Sequence, residues 1–381
     1  MPTSLIPFSR PYRAPAEDRY LRESLESGHL HGDGPMTQAA TRLVEEISGA
    51  RRALLTTSCT HALELASMLL DLGPGDEVIV PSFTFSSTAN AVAIRGATPV
   101  FVDIEPSTLN ADPDAVAAAV TDRTRAIYVV HYGGVGADLE RLQKVADSAG
   151  LAIVEDNAHG LGARLHGRLL GTFGVLATQS FHATKNVQCG EGGALLVNDD
   201  AMFERAEIIR EKGTDRSRFL RGQVDKYTWN EVGSSFLPSD LLAALLRSQL
   251  EDFDDIQARR HAVWSAYADA LAGWADDHGV QPMVVPDGAE HPAHVYYLMM
   301  PSHDDQTGLI SHLRERGIVA TFHYVPLDSS PAGRRLGRTP VPCDVTADRY
   351  ARLVRLPLFA GLTPADVERV VEGVRAYRPV G

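Results

Sequence analysis

Short apolar runs alternate with helical patterns through the first half of the chain, and this alternation constrains the fold more than any other feature. The runs are Ala53-Leu54-Leu55, Val78-Ile79-Val80, Val100-Phe101-Val102, Ala126 to Val130, Ala152-Ile153-Val154, Ala177 to Phe181 and Ala194 to Val197. Between them, Ala62, Leu65, Ala66, Leu69 and Leu70 share one helical face, and segments 112–120 and 139–149 read as further helices. Apolar strands separated by helices predict an α/β fold: a mostly parallel sheet with helices on both faces. Functional groups then belong on the loops at strand ends.

Residues 1–20 read as an irregular arm, 21–250 as a large domain and 251–381 as a smaller C-terminal α+β domain. A long helical stretch, 238–271, leads out of the large domain. Leu242, Leu245 and Leu246 repeat along it at core or interface spacing. Tyr296 to Met300 and Ile318 to Tyr324 have strand patterns. The last helix is marked by Thr363 as N-cap, Pro364 at the first helical position and Asp366 in the first turn.

Chemistry enters at Lys185. It lies in Ser180-Phe181-His182-Ala183-Thr184-Lys185-Asn186, and Gly190-Glu191-Gly192-Gly193 introduces the next apolar run. Upstream, the run Ala152 to Val154 ends in Glu155-Asp156-Asn157-Ala158-His159-Gly160. A loop lysine is ordinarily a solvated charge, and an Asp after a strand is ordinarily a turn former. A third element changes that reading. Thr56-Thr57-Ser58-Cys59-Thr60 follows the first run and opens a helix that Ser58 or Thr60 can cap. Free N–H groups among clustered hydroxyls make an anion site there. Lysine, acid and phosphate cradle together are what pyridoxal phosphate (PLP) needs. The amine condenses with the cofactor aldehyde, and the carboxylate keeps the pyridine nitrogen protonated.

Composition narrows the partners. The 381 residues are 44% hydrophobic and 22% charged, ordinary for a globular chain. A net charge of −13 and the lack of a basic run argue against a nucleic-acid partner. An anionic substrate would need a local basic pocket set against that field. Cys59, Cys189 and Cys343 have no paired spacing, so neither a disulfide framework nor a metal site is expected. No apolar stretch approaches a membrane span, and residues 1–13 lack a signal-peptide core, so no membrane partner and a cytoplasmic location are expected. No Gly-x-Gly-x-x-Gly turn follows the first strand, which disfavours a nicotinamide dehydrogenase.

These segments, with Gly75-Asp76-Glu77-Val78-Ile79-Val80-Pro81-Ser82-Phe83-Thr84-Phe85, resemble the DegT/DnrJ/EryC/StrS sugar aminotransferases, fold-type I PLP enzymes, from about residue 5 to 378. Segments 210–217, 221–229 and 322–327 look most like the dTDP-4-amino-4,6-dideoxygalactose transaminase subgroup. The resemblance implies that Lys185 binds the cofactor covalently and that Asp156 pairs with the pyridine nitrogen. It places His159 near the phenolic oxygen, Phe85 on the ring face, and Ser58, Cys59, Thr60 and Ser180 on the phosphate. Many members carry an Asn that reaches the partner subunit's cofactor. Here Ser235 takes its place in Gly233-Ser234-Ser235-Phe236-Leu237, and its shorter side chain puts that contact in question. By the same resemblance His323, Tyr324 and Lys226 are sugar-nucleotide contacts. His131 and His182 either orient the lysine loop or are satisfied polar residues.

The implied reaction transfers an amino group from L-glutamate to the C4 ketone of dTDP-4-keto-6-deoxyglucose, in a homodimer with composite active sites. Transfer to a C3 ketone is the alternative. The family's PLP-dependent sugar dehydratases carry His in place of the lysine, and a non-catalytic PLP-fold protein would lose Lys or Asp. This chain keeps Lys185 and Asp156.

Overall fold

The computed structural model describes residues 5–380. All seven apolar runs are strands of one sheet: β1 Arg52–Thr56, β2 Glu77–Pro81, β3 Thr98–Val102, β4 Thr124–Val130, β5 Ala152–Asp156, β6 Leu176–Ser180 and β7 Gly193–Val197. Their order is β1-β7-β6-β5-β4-β2-β3. β7 runs antiparallel to both its neighbours, and the other four pairings are parallel.

Successive side chains point to opposite faces of a strand, and here both faces are covered. Val78, Val80, Tyr128 and Val154 pack towards helices Cys59–Leu69 and Asp200–Arg210. Ile79, Val100, Ile127, Val129 and Ile153 pack towards helices Pro113–Ala119 and Leu139–Ala149. Ala53, Leu55, Ala177 and Leu196 meet helices Pro35–Ser48 and Asp240–Glu251, where Leu242, Leu245 and Leu246 join the core. A separate apolar core unites Ile6, Tyr267, Leu271, Tyr296, Leu313 and Val370.

Three expectations need correction. The stretch 238–271 is two helices, Asp240–Glu251 and Phe253–Asp277, broken at Asp252 (φ −102°, ψ 15°), a residue type that favours caps and turns. The arm is not irregular to its end, because a helix starts at Glu17 and runs to Ser27. It is docked by Tyr20, whose hydroxyl donates to Glu251 at 2.6 Å. Residues 1–4 of the arm lie outside the described residues. Ile318 to Tyr324 is not a strand. It pairs with Ile6 at Ile318 and with Arg355 at Thr321, one position on each side, which is too little for a ladder.

The last helix, Pro364–Arg375, starts as expected. Thr363 and Asp366 each accept the other's backbone N–H in a capping box. No helix among the described residues is long and apolar enough to cross a membrane.

Candidate active site

The carboxyl ends of β1, β5 and β6 open on one cavity of about 870 Å³. Ser58, Cys59, Thr60, Phe85, Asp156, His159, Ser180, Lys185, His323 and Tyr324 all line it. Residues far apart in sequence meet there because open α/β sheets gather their strand-end loops on one edge.

The anion cradle forms where β1 gives way to helix Cys59–Leu69. Ser58 is extended (φ −164°, ψ 163°), and its Oγ accepts the His61 N–H at 3.1 Å. The N–H groups of Cys59 and Thr60 fall in the first helical turn and have no intrahelical acceptor. Thr60 Oγ1 and Ser87 Oγ lie 2.7 Å apart beside them. Gly193 on β7 pairs with both Thr56 and Ser180. A Cβ there would come within 2.4 Å of Cys59 N, so glycine lets the strand and the turn close together. Cys59 Sγ lies 3.5 Å from Thr178 Oγ1, and burial pushes its thiol up to about 12. It fills space rather than acting as a nucleophile.

Asp156 ends β5. Its Oδ2 accepts from Thr88 Oγ1 at 2.7 Å, and its Oδ1 from the Ala158 N–H at 3.3 Å. Burial raises its carboxyl above the ordinary value, while Thr88 and Lys185 draw it back down. The preceding residue, Glu155, accepts the N–H groups of Gly171, Phe173 and Gly174. His131 completes that set: its Nδ1 accepts the Ala137 N–H, so its Nε2 donates to Glu155 at 2.9 Å. His131 therefore anchors the strand end and does not line the cavity.

The lysine loop is tied on both sides of Lys185. The Lys185 N–H donates to His182 O at 2.8 Å, and the His182 ring accepts the Thr184 N–H at 3.3 Å. His182 thus orients the loop. Asn186 Nδ2 donates to Pro292 O at 2.7 Å, while its Oδ1 accepts from His294 Nδ1 at 2.8 Å. Burial brings the Lys185 ammonium down to about 8, against the opposing pull of Cys59 and Asp156. The amine is therefore readily available in neutral form.

His159 stacks on His294 with ring centroids 4.2 Å apart. Its Nδ1 accepts the Gly133 N–H at 3.2 Å, so Nε2 carries the proton and lies 3.4 Å from the Tyr324 hydroxyl. Burial holds His159, His294 and His323 well below the ordinary histidine value, and the cluster is neutral. His323 Nδ1 lies 3.0 Å from the Tyr132 hydroxyl. Phe85 is 58% exposed, so its ring is a cavity wall and not core. Lys226, expected as a substrate contact, does not line this cavity, and neither does Ser235, whose expected contact is with the partner subunit's cofactor. Ser235 is exposed, its backbone paired with Glu211, and Lys226 is exposed in the irregular stretch after helix Arg216–Leu220.

Sequence reasoning missed Thr88, Tyr132, His294 and Arg355. The hydroxyl cluster after Phe85 is a signal for Thr88. The other three carry none, since they reach the site only through tertiary packing.

The donor set fits PLP. One cavity holds an acid with hydroxyl support, an amine that neutralises easily, an anion-binding helix start and an exposed aromatic face. Built on the carboxyl edge of a mostly parallel sheet, this defines a PLP-dependent aminotransferase. The chain belongs to the DegT/DnrJ/EryC1/StrS aminotransferase family, whose model matches residues 11–375. It is 34% identical to the spore coat polysaccharide biosynthesis protein SpsC of Bacillus subtilis (strain 168), covering 97% of this chain and 96% of SpsC. Among solved structures it is similar to the aminotransferase TlmJ from Streptoalloteichus hindustanus, with 31% identity, 98% of each chain covered and a TM-score of 0.90. It is also similar to the sugar aminotransferase CalS13 from Micromonospora echinospora, with 29% identity, 98% and 100% covered and a TM-score of 0.88. The protein is a PLP-dependent aminotransferase of this family.

Proposed function

We propose that this enzyme transfers the amino group of L-glutamate to the C4 ketone of dTDP-4-keto-6-deoxyglucose, giving a dTDP-4-amino-4,6-dideoxyhexose. The observation that carries the transamination chemistry is the meeting of Lys185, Asp156 and the Ser58 turn in one cavity. When bound, PLP supplies an aldehyde for the amine and a ring that takes up the electron pair left by a broken C–H bond. Asp156 holds the proton on the ring nitrogen. The neutral Nζ of Lys185 takes the proton from the donor's α-carbon and returns it at the acceptor position, a role typically worth about 10² to 10⁴ in rate. The N–H groups of Cys59 and Thr60, with Ser180, would hold the phosphate. Phe85 would offer an aromatic face to the cofactor and His159 a hydrogen-bond donor, both from the cavity wall.

The C4 assignment is supported by the segments 210–217, 221–229 and 322–327. Phe322, His323 and Tyr324 of the last one line the cavity, where they can meet a hexose. A homodimer with composite sites is part of the same reading. Leu220, Tyr227, Trp229 and Val232 expose apolar surface next to Ser235, and a second copy of the chain would cover it. Three free cysteines support a reducing, cytoplasmic location.

NMR of the product made from dTDP-4-keto-6-deoxyglucose and glutamate tests the assignment. A 4-amino product is expected. Moving the ketone by one ring position shifts the attack geometry by about an ångström, a change that costs on the order of a hundredfold. Equal or greater kcat/KM with the 3-keto isomer would refute C4 and leave the transamination chemistry intact.

A further inference from the structure

Two arginines are buried among the described residues, Arg210 and Arg260. Arg210 pairs with Asp33 at 2.7 Å. Arg260, on helix Phe253–Asp277, meets no carboxylate among the described residues, and burial alone draws its guanidinium below the ordinary value. Its Nε donates to Ala293 O at 3.1 Å and its Nη2 to His294 O at 2.7 Å. Burying a charge is costly, and an apolar side chain of similar length would fill the space without that cost. What the guanidinium adds is a pair of donors at fixed spacing, matched to two consecutive carbonyls.

The turn it holds does not hold itself. Ala293 has φ +48°, in the left-handed region that a residue with a Cβ seldom adopts. Such a conformation persists where its surroundings fix it. Here they lie on one face of helix Phe253–Asp277, at Gln257, Arg260 and Trp264, three and four residues apart. Gln257 Nε2 donates to Pro292 O at 3.3 Å. Trp264 packs on His291 with ring centroids 4.5 Å apart, and His291 Nδ1 accepts the Ala293 N–H at 3.1 Å. The other side of the turn meets the lysine loop. Asn186, next to Lys185, donates through Nδ2 to Pro292 O at 2.7 Å and to Gln257 Oε1 at 3.0 Å, and its Oδ1 accepts from His294 Nδ1 at 2.8 Å. All three bonds end on the turn or on Gln257.

We propose that Arg260 and Gln257 are positioning residues: through the 292–294 turn and Asn186 they hold Lys185 in the buried place from which it reacts. This rests on Lys185 being the residue that takes PLP. The ionisable groups that act on Lys185 are Cys59, Asp156 and Arg355, while the histidines His159, His294 and His323 beside them are neutral. Arg260 is not among the groups that act on Lys185, so a shift on replacing it reports where the lysine sits and not a lost charge. If the turn is released, water reaches Nζ, and a midpoint brought down to about 8 by burial rises towards the ordinary 10.5.

The test uses the full chain freed of cofactor and its Arg260→Met, Arg260→Lys, Asn186→Leu and Arg260→Met/Asn186→Leu variants, with Tm measured for each. Competitive acetylation read by peptide mass spectrometry gives the Lys185 midpoint, with exposed Lys144 as reference. Arg260→Met should raise it by about one unit, and Arg260→Lys by less, since an ammonium still donates to a carbonyl. One unit is about tenfold in neutral amine near neutral pH, so PLP capture there should slow about tenfold. Asn186→Leu should raise the midpoint as much as Arg260→Met does, and the double variant little further, because both cut the same path. A lowered Tm with an unmoved midpoint would make Arg260 purely structural and overturn the proposal. Additive shifts in the double variant would overturn it too, since Arg260 would then reach Lys185 by another route. Should Arg260→Met fail to fold, Gln257→Leu, which removes a donor to the turn and an acceptor for Asn186, is read against the same outcomes. If peptide mapping of borohydride-reduced wild type finds no PLP on Lys185, the transamination reading falls and the proposal with it. PLP on Lys185 with unmoved midpoints in the variants sinks the proposal alone.

Discussion

Thr88 donates its hydroxyl to Asp156 across 2.7 Å, so the acid at the end of β5 is tuned from the helix Ser86–Ala93, which follows β2. Thr84 Oγ1 lies 2.9 Å behind Thr88 and fixes its rotamer. Thr88→Val keeps the shape and removes the donor. Burial then pushes the Asp156 carboxyl further up, because Thr88 is the first of the groups holding it down. The ionised form is the active one, so the acid limb of the pH–rate profile should move to higher pH. Turnover should fall about tenfold, as expected for losing a charge-assisted bond of roughly 1.5–3 kcal/mol. An acid limb that stays in place would show that Thr88 does not tune Asp156.

Lys185→Ala should retain PLP only non-covalently, lose the borohydride-reducible adduct and lose turnover. Asp156→Asn should keep its circular dichroism spectrum and lose most activity, because an amide cannot hold a proton on the ring nitrogen. Single-turnover rates with glutamate separate the two. Near-normal rates in Asp156→Asn would remove the acid from the mechanism.

The Lys185 ammonium, brought down to about 8 by burial, sets a pH dependence that needs no substrate. Cofactor-free protein should capture added PLP faster as pH rises, with a plateau above about 8 where the amine is neutral. Arg355 lowers this value and Asp156 raises it. The midpoint should therefore move up in Arg355→Gln and down in Asp156→Asn. Stopped-flow absorbance of the adduct reads all three, and a midpoint near the ordinary 10.5 would mean that Lys185 is solvated.

The seven strands were legible because a sheet covered on both faces needs apolar runs without alternation. Lys185, Asp156 and Ser58 were legible because their chemistry is local: a residue type at the end of an apolar run. Arg355 was not, because it reaches the cavity by pairing with Thr321 and stacking on Phe8 from the opposite end of the chain. His294 is in the same position, since its meaning comes from Asn186 and His159. The break at Asp252 was hidden because buried residues continue on both sides of it, Leu250 before and Ile256 after. Phe85 was placed at the site only by the resemblance, because an aromatic residue taken alone is more often core, and its exposure on the cavity wall separates the two roles.

Gly193 offers a test of the phosphate cradle that leaves every polar group in place. A Cβ at this position would meet Cys59 N and the Ser58 carbonyl carbon at 2.4 Å, and both are backbone atoms that move only with the turn itself. Gly193→Ala should therefore push the start of helix Cys59–Leu69 away from Ser180 and spread the N–H groups that receive the phosphate. The measurable outcome is weaker PLP retention on dialysis, at least about tenfold, with a lowered Tm, since a forced backbone shift is among the costly classes of single substitution. Gly273→Ala is the matched control. It lies within helix Phe253–Asp277 with nothing inside 4 Å of the added carbon, so it should keep PLP and gain up to about 1 kcal/mol from helix propensity. If Gly193→Ala retains PLP as firmly as Gly273→Ala does, the Ser58 turn is not the phosphate site.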